Sequence, residues 1–297
     1  EKVVVLTGRN YSHSIYEYSI KNILQESSIE ALCRPIDKPN LDSELREVYE
    51  EFWSNHLAPQ ALVSVGGGSI MDFTKALSVT ISKKDKFKDW PNFDLLCQLL
   101  QKTPAEIPII CIPTTVGTGS ESNGTFAIYD QTGRKQTLSN LTTRPLLAWL
   151  DSNHVKGLSY EAVKDGIWDC ISHLLEQICK VEKDTSWSDR MLMGALEQLL
   201  CDLKNCGNWK TDHALRESVM LLSFWAMSYL FSMGKTIEWS LHKLSDEKNC
   251  GESHSKQIQN ELKNWIKIQE KNPPFVDQEL INRFKYILQE ITKMQFR

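Results

Sequence analysis

The sequence predicts an α/β domain with a mainly parallel sheet over residues 1–155, followed by an all-α domain over residues 156–297. In the first half, short apolar runs rich in β-branched residues alternate with amphipathic segments of helical length. From about Leu158 onward such runs disappear, and apolar residues recur at helical spacing instead. A chain of 297 residues is long enough to bury a core in each of two such domains.

The first half contains apolar runs with the length and composition of buried strands. The strand candidates are Val3–Leu6, Glu30–Cys33, Ala61–Val65, Ile107–Ile112, Thr125–Tyr129 and Leu146–Leu150. We expect helices at Ser14–Ser27, Leu41–His56 and Ile70–Ser82. Strands separated by helices are typical of a parallel sheet with helices on both faces.

The second half carries only helical patterns. Leucine, isoleucine and methionine recur at helical spacing from Leu174 to Leu200, and Glu217–Met233 is a long apolar segment. Two further helices are expected at Asn260–Gln269 and Asp277–Met294, with Asn272-Pro273-Pro274 between them.

Composition excludes several classes of function. The net charge of −4 argues against a nucleic-acid partner, because phosphate binding needs a basic surface. No stretch is apolar and long enough to span a membrane, and the residues after Glu1 do not resemble a secretory signal. Eight cysteines without a C-x-x-C pair predict reduced thiols in a cytoplasmic protein. We also expect a homodimer.

Two loops at strand ends are candidates for ligand binding. Gly66-Gly67-Gly68-Ser69 joins a strand to a helix, and glycines let the backbone and the first helical N–H groups approach an anion closely. A second loop, Pro113–Glu121, also follows a strand and is rich in hydroxyl groups and glycine. Both loops fall at the carboxyl edge of a parallel sheet, where ligands bind in such folds. A tight turn that binds nothing is the alternative for the first loop alone.

A helix in the second half carries a candidate metal pair. Asp169 and His173 are four residues apart and share a helix face, with Glu176 one turn further along. This spacing suits two ligands of one metal ion. A surface contact without metal explains the same spacing. His242 and His254 are twelve residues apart, which by itself is weak support for two more ligands.

Together, these blocks resemble the iron-containing (group III) alcohol dehydrogenase family. The matching stretches occur in the same order and at similar separations: Gly66–Ser69 with Asp72 and Lys75, Pro113–Thr115 with Gly117–Glu121, and Asp169 with His173 and Glu176. The resemblance covers roughly residues 1–255. It implies a Rossmann-like α/β domain and a C-terminal helical domain, an architecture shared with dehydroquinate synthase.

The resemblance also implies residue roles. The cofactor pyrophosphate would be held by Gly67, Gly68 and Ser69, with Asp72 in the same site. The rest of the cofactor would lie along Thr114, Thr115 and Thr118. A metal, Fe(II) or Zn(II), would be bound by Asp169, His173, His242 and His254. The last two histidines depart from the family pattern: they are two residues closer than usual, Ser255 replaces a glycine, and Asp246 replaces a second histidine.

Two local features bear on cofactor and substrate. The turn after the first strand reads Thr7-Gly8-Arg9, where relatives often carry an aspartate that favours NAD. Gly8 leaves room for a 2′-phosphate and Arg9 can pair with it, so we expect NADP in preference to NAD. Gly133–Leu138 and Lys235–Ser245 resemble a phosphonoacetaldehyde reductase branch. That branch implies that Lys135 belongs to the catalytic site and, with Arg134, faces an anionic substrate; a solvated turn is the alternative.

The leading hypothesis is therefore a metal- and NAD(P)-dependent alcohol dehydrogenase acting on a small aldehyde or primary alcohol. The metal would act as a Lewis acid on the substrate oxygen while hydride passes to or from the nicotinamide. Two alternatives remain open. One is a non-redox lyase like dehydroquinate synthase. The other is a degenerate binding subunit, which the short His242–His254 segment and a short helical tail would fit.

Overall fold

A computed structural model describes residues 1–9, 15–178, 187–205, 208–230 and 254–271, together with the single residues 282, 285, 286 and 289. The chain divides into two compact units. The first comprises Glu1–Thr114 and Ser120–His154, and the second comprises Thr115–Gly119 and Val155–Arg297. The short segment Thr115–Gly119 thus groups with the helical part of the chain, although its neighbours on both sides belong to the first unit.

The first unit is built on a five-stranded parallel sheet. In spatial order its strands are β2 (Glu30–Ile36), β1 (Lys2–Gly8), β3 (Ala61–Gly66), β4 (Ile109–Pro113) and β7 (Leu147–Ala148). The central strands β1, β3 and β4 consist mostly of buried apolar residues, as expected for a sheet covered on both faces. The predicted parallel sheet with its flanking helices is confirmed.

Side chains alternate between the two faces of this sheet. On one face Val4, Leu6 and Leu62 join a large core with the helices. On the other face Val3 and Val5 pack with further strand residues. The helices of this unit are α1 (Ile15–Glu26), α2 (Asp42–Ser54), α3 (Gly68–Ser82), α4 (Lys84–Phe87) and α5 (Phe93–Lys102).

Helix α5 was not expected from the sequence. Asn92 caps it by accepting the Leu95 N–H at 3.0 Å, and Phe93, Leu96 and Leu100 bury its apolar face. The spacing of these apolar residues is helical, so the signal was present but short.

The segment Thr125–Tyr129 is a strand, as predicted, but it does not join the parallel sheet. It forms β5, which pairs antiparallel with β6 (Lys135–Ser139) in a separate two-stranded sheet. The sequence did not reveal β6, because only Leu138 of its five residues is buried and no apolar run marks it. Short 3₁₀ turns at Ser120–Ser122 and Leu141–Thr143 flank this hairpin.

The second unit is helical over its described residues, as predicted. Its helices are α6 (Tyr160–Ile178), α7 (Trp187–Asn205), α8 (His213–Leu230) and α9 (His254–Lys271). Helix α6 packs against the other three and buries Ile167, Trp168 and Leu174. The predicted helix Asp277–Met294 lies outside the continuously described residues.

Two sequence expectations concern the whole chain. Within the described ranges, no helix has the length and apolarity needed to cross a bilayer. No disulfide joins the described cysteines. Burial raises the pKa of Cys97 to about 11 and that of Cys111 to about 12, so both thiols are protonated at neutral pH and pack as small apolar groups.

A pair of leucine substitutions tests the core of the first unit. Leu77 on α3 is fully buried, whereas Leu95 on α5 is 46 % exposed. We expect Leu77→Ala to lower the free energy of unfolding by about 2–5 kcal/mol, because it removes buried apolar surface and leaves a cavity. Leu95→Ala should change it by less than about 0.5 kcal/mol. Urea unfolding followed by circular dichroism measures both, and equal losses would contradict this packing.

Candidate functional site

The N-terminus of α3 is shaped for an anion. Strand β3 ends at Gly66, and Gly67 precedes the helix in an extended conformation, with no side chain capping it. The first N–H groups of a helix have no acceptor within the helix, so those of Gly68 and Ser69 are available to a ligand. At Gly66 a Cβ atom would lie 2.7 Å from the Ile70 side chain, which only glycine avoids. This donor set, which no described side chain caps, fits a pyrophosphate.

The second loop begins beside the glycine loop. The Thr114 N–H donates to the Gly66 carbonyl at 2.9 Å, which ties the start of the second loop to the end of β3. The Thr115 hydroxyl is buried, and it has no hydrogen-bond partner among the described residues. A buried hydroxyl without a partner is uncommon and is a candidate for binding a ligand. Thr118 is half-buried on the same loop.

A buried ammonium group joins three parts of the first unit. Lys75 on α3 is fully buried, and its Nζ donates to Ser120 Oγ and to the Thr125 carbonyl, both at 2.7 Å. Asp72, one turn earlier, accepts the Ser120 hydroxyl at 2.6 Å and the Ala127 N–H at 2.9 Å. Asp72 therefore makes protein contacts that hold the end of the second loop and strand β5 against α3.

The electrostatics of this cluster are dominated by burial. Burial lowers the pKa of Lys75, and the Asp72 carboxylate opposes that shift. Burial raises the pKa of Asp72, against the charges and hydrogen bonds of Lys75, Ser120, Ala127 and Lys135. The neighbouring Glu121 is 5 % exposed, and burial raises its pKa to about 7. A carboxyl group beside the loop is thus partly protonated near neutral pH.

The carboxyl ends of β1 and β2 carry an ion pair. Gly8 is the last residue of β1 and pairs with Ile36, the last residue of β2. The next residues, Arg9 and Asp37, meet through Nε and Oδ1 at 2.6 Å. The hydrogen bond raises the pKa of Arg9 and lowers that of Asp37. Sequence reasoning identified Gly8 and Arg9 but missed Asp37.

The proposed metal pair occupies one face of α6. Asp169 and His173 are both buried, and His173 Nε2 lies 3.9 Å from Asp169 Oδ1. The other ring nitrogen, Nδ1, lies 3.1 Å from the Gly117 carbonyl oxygen. A carbonyl can only accept, so Nδ1 carries the proton in this hydrogen bond, and Nε2 is the ring nitrogen on the side of Asp169 that can offer a lone pair to a metal.

This arrangement fits two ligands of one ion. Metal-bound histidines commonly donate their second N–H to a backbone carbonyl, which fixes the tautomer and the ring orientation. Ligand distances of about 2.0–2.2 Å allow one ion to reach both atoms, since 3.9 Å is less than twice that distance. Sequence reasoning missed the Gly117 carbonyl, because Gly117 and His173 are 56 residues apart.

The remaining two metal ligands implied by the resemblance are not part of this geometry. His242 lies outside the described residues. His254 is the first residue of α9, and its side chain is also outside what is described. Among the described residues, no group of three or more histidine, cysteine or acidic side chains could hold a metal. The candidate centre therefore rests on Asp169 and His173.

The cations predicted to face a substrate differ in their surroundings. Arg134 is bound by Asp94 at 2.9 Å and Asp130 at 3.2 Å, and its guanidinium lies over the Phe93 ring. These contacts stabilise the turn between β5 and β6, in which Arg134 lies. Lys135 is half-buried at the start of β6, and its positive charge acts on Asp72.

Comparison with known proteins identifies the family. The model of the iron-containing alcohol dehydrogenases matches residues 1–152, just over half of the chain. The chain belongs to the iron-containing alcohol dehydrogenase family. The matched part contains all of the glycine loop and the second loop, and it includes Lys75. The family predicted from these blocks is therefore confirmed.

Two curated relatives of this family come from Escherichia coli. The NADPH-dependent aldehyde reductase YqhD is 29% identical over 187 residues, which are 63% of this chain and 48% of the reductase. The probable alcohol dehydrogenase EutG is 30% identical over 177 residues, 58% of this chain and 42% of its own length. The chain thus spans just under half the length of the curated relatives it matches.

The fold also resembles solved members of the family. The NADH-dependent butanol dehydrogenase A of Thermotoga maritima superposes with a TM-score of 0.74 at 22% identity, covering 98% of this chain and 77% of the dehydrogenase. At this identity the likeness shows the fold, a Rossmann-like domain together with a helical domain.

Two glycine substitutions test the close packing around the Gly117 carbonyl. Gly117 and Gly133 both have positive φ, +101° and +86°. A Cβ at Gly117 would lie 2.2 Å from the Gly166 carbonyl oxygen, whereas a Cβ at Gly133 meets nothing within 4 Å. We expect Gly133→Ala to cost about 1–2 kcal/mol and Gly117→Ala about 3 kcal/mol or more in unfolding free energy. Similar losses in urea unfolding would refute the close approach.

The raised pKa of Glu121 predicts a pH dependence of stability. The folded group binds its proton more tightly than the unfolded one, whose pKa is near 4.5. Stability therefore falls as pH rises from about 4.5 to about 7, by about 3 kcal/mol.

The variant Glu121→Gln should lack this component. The difference in unfolding free energy between the variant and the wild type should then grow in favour of the variant over the same pH range. Glu26→Gln, at an exposed position on α1, is the matched control. A difference that stays constant with pH would show that folding does not raise the pKa of Glu121.

Proposed function

We propose that this protein is a metal- and NAD(P)-dependent oxidoreductase that transfers hydride between the nicotinamide and a small aldehyde or primary alcohol. Residues 1–155 bind the dinucleotide, and residues 156–297 bind the metal. The observation that carries the proposal is the uncapped, glycine-lined N-terminus of α3 at the carboxyl edge of a parallel sheet. Family membership and the name of the relative YqhD, an NADPH-dependent aldehyde reductase, support the same chemistry.

The cofactor pyrophosphate lies against Gly67, Gly68 and Ser69, whose backbone donates to it. Asp72 contributes indirectly, because its carboxylate holds Ser120 and the hairpin in place. Thr114, Thr115 and Thr118 line the remainder of the cofactor, and the unpartnered Thr115 hydroxyl supports this role. Arg9 favours NADP through its attraction for a 2′-phosphate.

Asp169 and His173 hold the metal, with His242 and His254 as the two further ligands. The donor set of one carboxylate and three imidazoles suits Fe(II) or Zn(II). When bound, the ion polarises the substrate oxygen as a Lewis acid. The hydrogen bond from His173 to the Gly117 carbonyl would orient the ring so that Nε2 could serve as a ligand.

Lys135 would face the cofactor phosphates or an anionic substrate such as phosphonoacetaldehyde. Its positive charge acts on Asp72, in the second turn of the helix that the glycine loop opens. Arg134, which pairs with Asp94 and Asp130, would have to leave or share these contacts in order to face such a substrate.

The two alternative functions predict different outcomes for cofactor oxidation and metal binding. A lyase like dehydroquinate synthase would release phosphate without net change in reduced nicotinamide. A degenerate subunit would neither retain metal nor turn over. The Gly117 carbonyl orients the His173 ring beside Asp169, and this orientation favours a metal-binding protein over a degenerate subunit.

An absorbance screen tests the proposal. The purified protein is incubated with NADPH or NADH and a panel of aldehydes that includes phosphonoacetaldehyde, with Fe(II) or Zn(II) added in turn. We expect loss of absorbance at the reduced nicotinamide band with at least one aldehyde. With a phosphorylated keto acid added as a further substrate, phosphate release without such a loss would support the lyase. No turnover and no bound metal would support the degenerate subunit.

A histidine pair tests the metal assignment. His173→Ala should lower turnover more than about 100-fold and weaken metal binding at least about 10-fold, because a ligand is lost. Metal content after loading and dialysis, measured by inductively coupled plasma mass spectrometry, checks the second effect. His213→Ala is the control, since His213 is exposed on α8 and pairs with Glu217. Unchanged metal content in His173→Ala would refute the assignment.

A further inference from the structure

The Arg9–Asp37 ion pair occupies a defined place at the carboxyl edge of the sheet. Strand β1 lies between β2 and β3, with Gly8 opposite Ile36 on one side and Thr7 opposite Val65 on the other. From the glycine loop outward, the strand ends are therefore those of β3, then β1, then β2. Asp37 follows the outermost of the three.

A dinucleotide on this edge would reach the pair with its adenosine ribose. Its pyrophosphate would lie at the N-terminus of α3, beside the end of β1. Among the described residues, no side chain fills the space at Gly8, where a Cβ would meet only Ile70, at 3.7 Å. The Arg9 and Asp37 side chains are 67 % and 47 % exposed, so a ligand can contact both.

The inference rests on the proposed nicotinamide function. We infer that Asp37 is a specificity-determining residue for the 2′ position of the cofactor: it opposes a 2′-phosphate and accepts a hydrogen bond from a 2′-hydroxyl. Cofactor choice is then set by the pair, with Arg9 and Asp37 acting in opposite directions.

Asp37 acts in two ways. Its carboxylate repels the negative charge of a 2′-phosphate directly. It also accepts the Arg9 Nε–H at 2.6 Å, so Arg9 has to leave this hydrogen bond, or share it, in order to bind the phosphate. An exposed ion pair contributes little to stability, so either side chain can be changed without unfolding the protein.

Equilibrium binding of NADPH and NADH, measured by isothermal titration calorimetry, tests the inference without catalysis. Asp37→Asn should raise the ratio of NADPH to NADH affinity roughly five- to tenfold, an effect that shrinks as ionic strength rises. Arg9→Gln should lower the ratio. Asp37→Glu should stay near the wild type, because it keeps the carboxylate.

The double variant separates the two contributions. In an Arg9→Gln background, Asp37→Asn removes only the direct repulsion, so its effect on the ratio should be smaller than in the wild type. Adenosine 2′,5′-bisphosphate and adenosine 5′-monophosphate, which differ only at the 2′ position, should repeat the pattern. Asp89→Asn, an exposed change of the same charge before α5, should leave the ratio unchanged.

The outcomes distinguish the inference from the proposed function. If the wild type binds a nicotinamide cofactor and Asp37→Asn leaves the ratio unchanged, the role of Asp37 is refuted and the function stands. If Asp89→Asn shifts the ratio as much as Asp37→Asn, net charge explains the effect and the inference is likewise refuted. If neither cofactor nor either fragment binds the wild type, the proposed function itself fails.

Discussion

The ammonium group of Lys75 is fully buried, and an ion in such a place needs acceptors because water cannot reach it. Lys75 finds them in Ser120 and Thr125, while Asp72 supplies the compensating charge. The three contacts come from α3, from the end of the second loop and from β5. Since the glycine loop opens α3, the interaction that satisfies the ammonium also fixes where the hairpin and Ser120 lie relative to the N-terminus of α3.

Backbone groups, in addition to side chains, set the chemistry of the candidate centres. At α3 the first N–H groups remain available because helix geometry gives them no acceptor and no side chain caps them at Gly67. In the second unit the Gly117 N–H donates to Ser223 Oγ at 2.9 Å, and its carbonyl accepts from His173. The loop is thus held through both the N–H and the carbonyl group of Gly117. The Gly117 carbonyl also selects the histidine tautomer that a metal requires. Glycine is needed there because Gly166 approaches so closely.

Charges around the first unit fall into two groups with different consequences. Lys75 and Glu121 are buried and Asp72 is half-buried beside them, so burial governs their pKa values and their protonation is coupled to stability. Arg9 and Asp37 are exposed, so their pairing adds little to stability and can respond to a ligand. The buried group positions the loops, and the exposed group is suited to choosing between cofactors.

The sequence by itself determined the parallel sheet, the helical second half and the family. Apolar runs, glycine loops and hydroxyl-rich loops consist of residues close together in the sequence, so they are recognisable without the tertiary structure. Strand β6 was not predicted from the sequence, because a mostly exposed strand carries no apolar run. Only the tertiary structure paired Arg9 with Asp37, Lys75 with Ser120 and His173 with Gly117, residues 28, 45 and 56 positions apart. Strand order and helix packing bring these partners into contact. Their spacing along the chain does not predict such contacts.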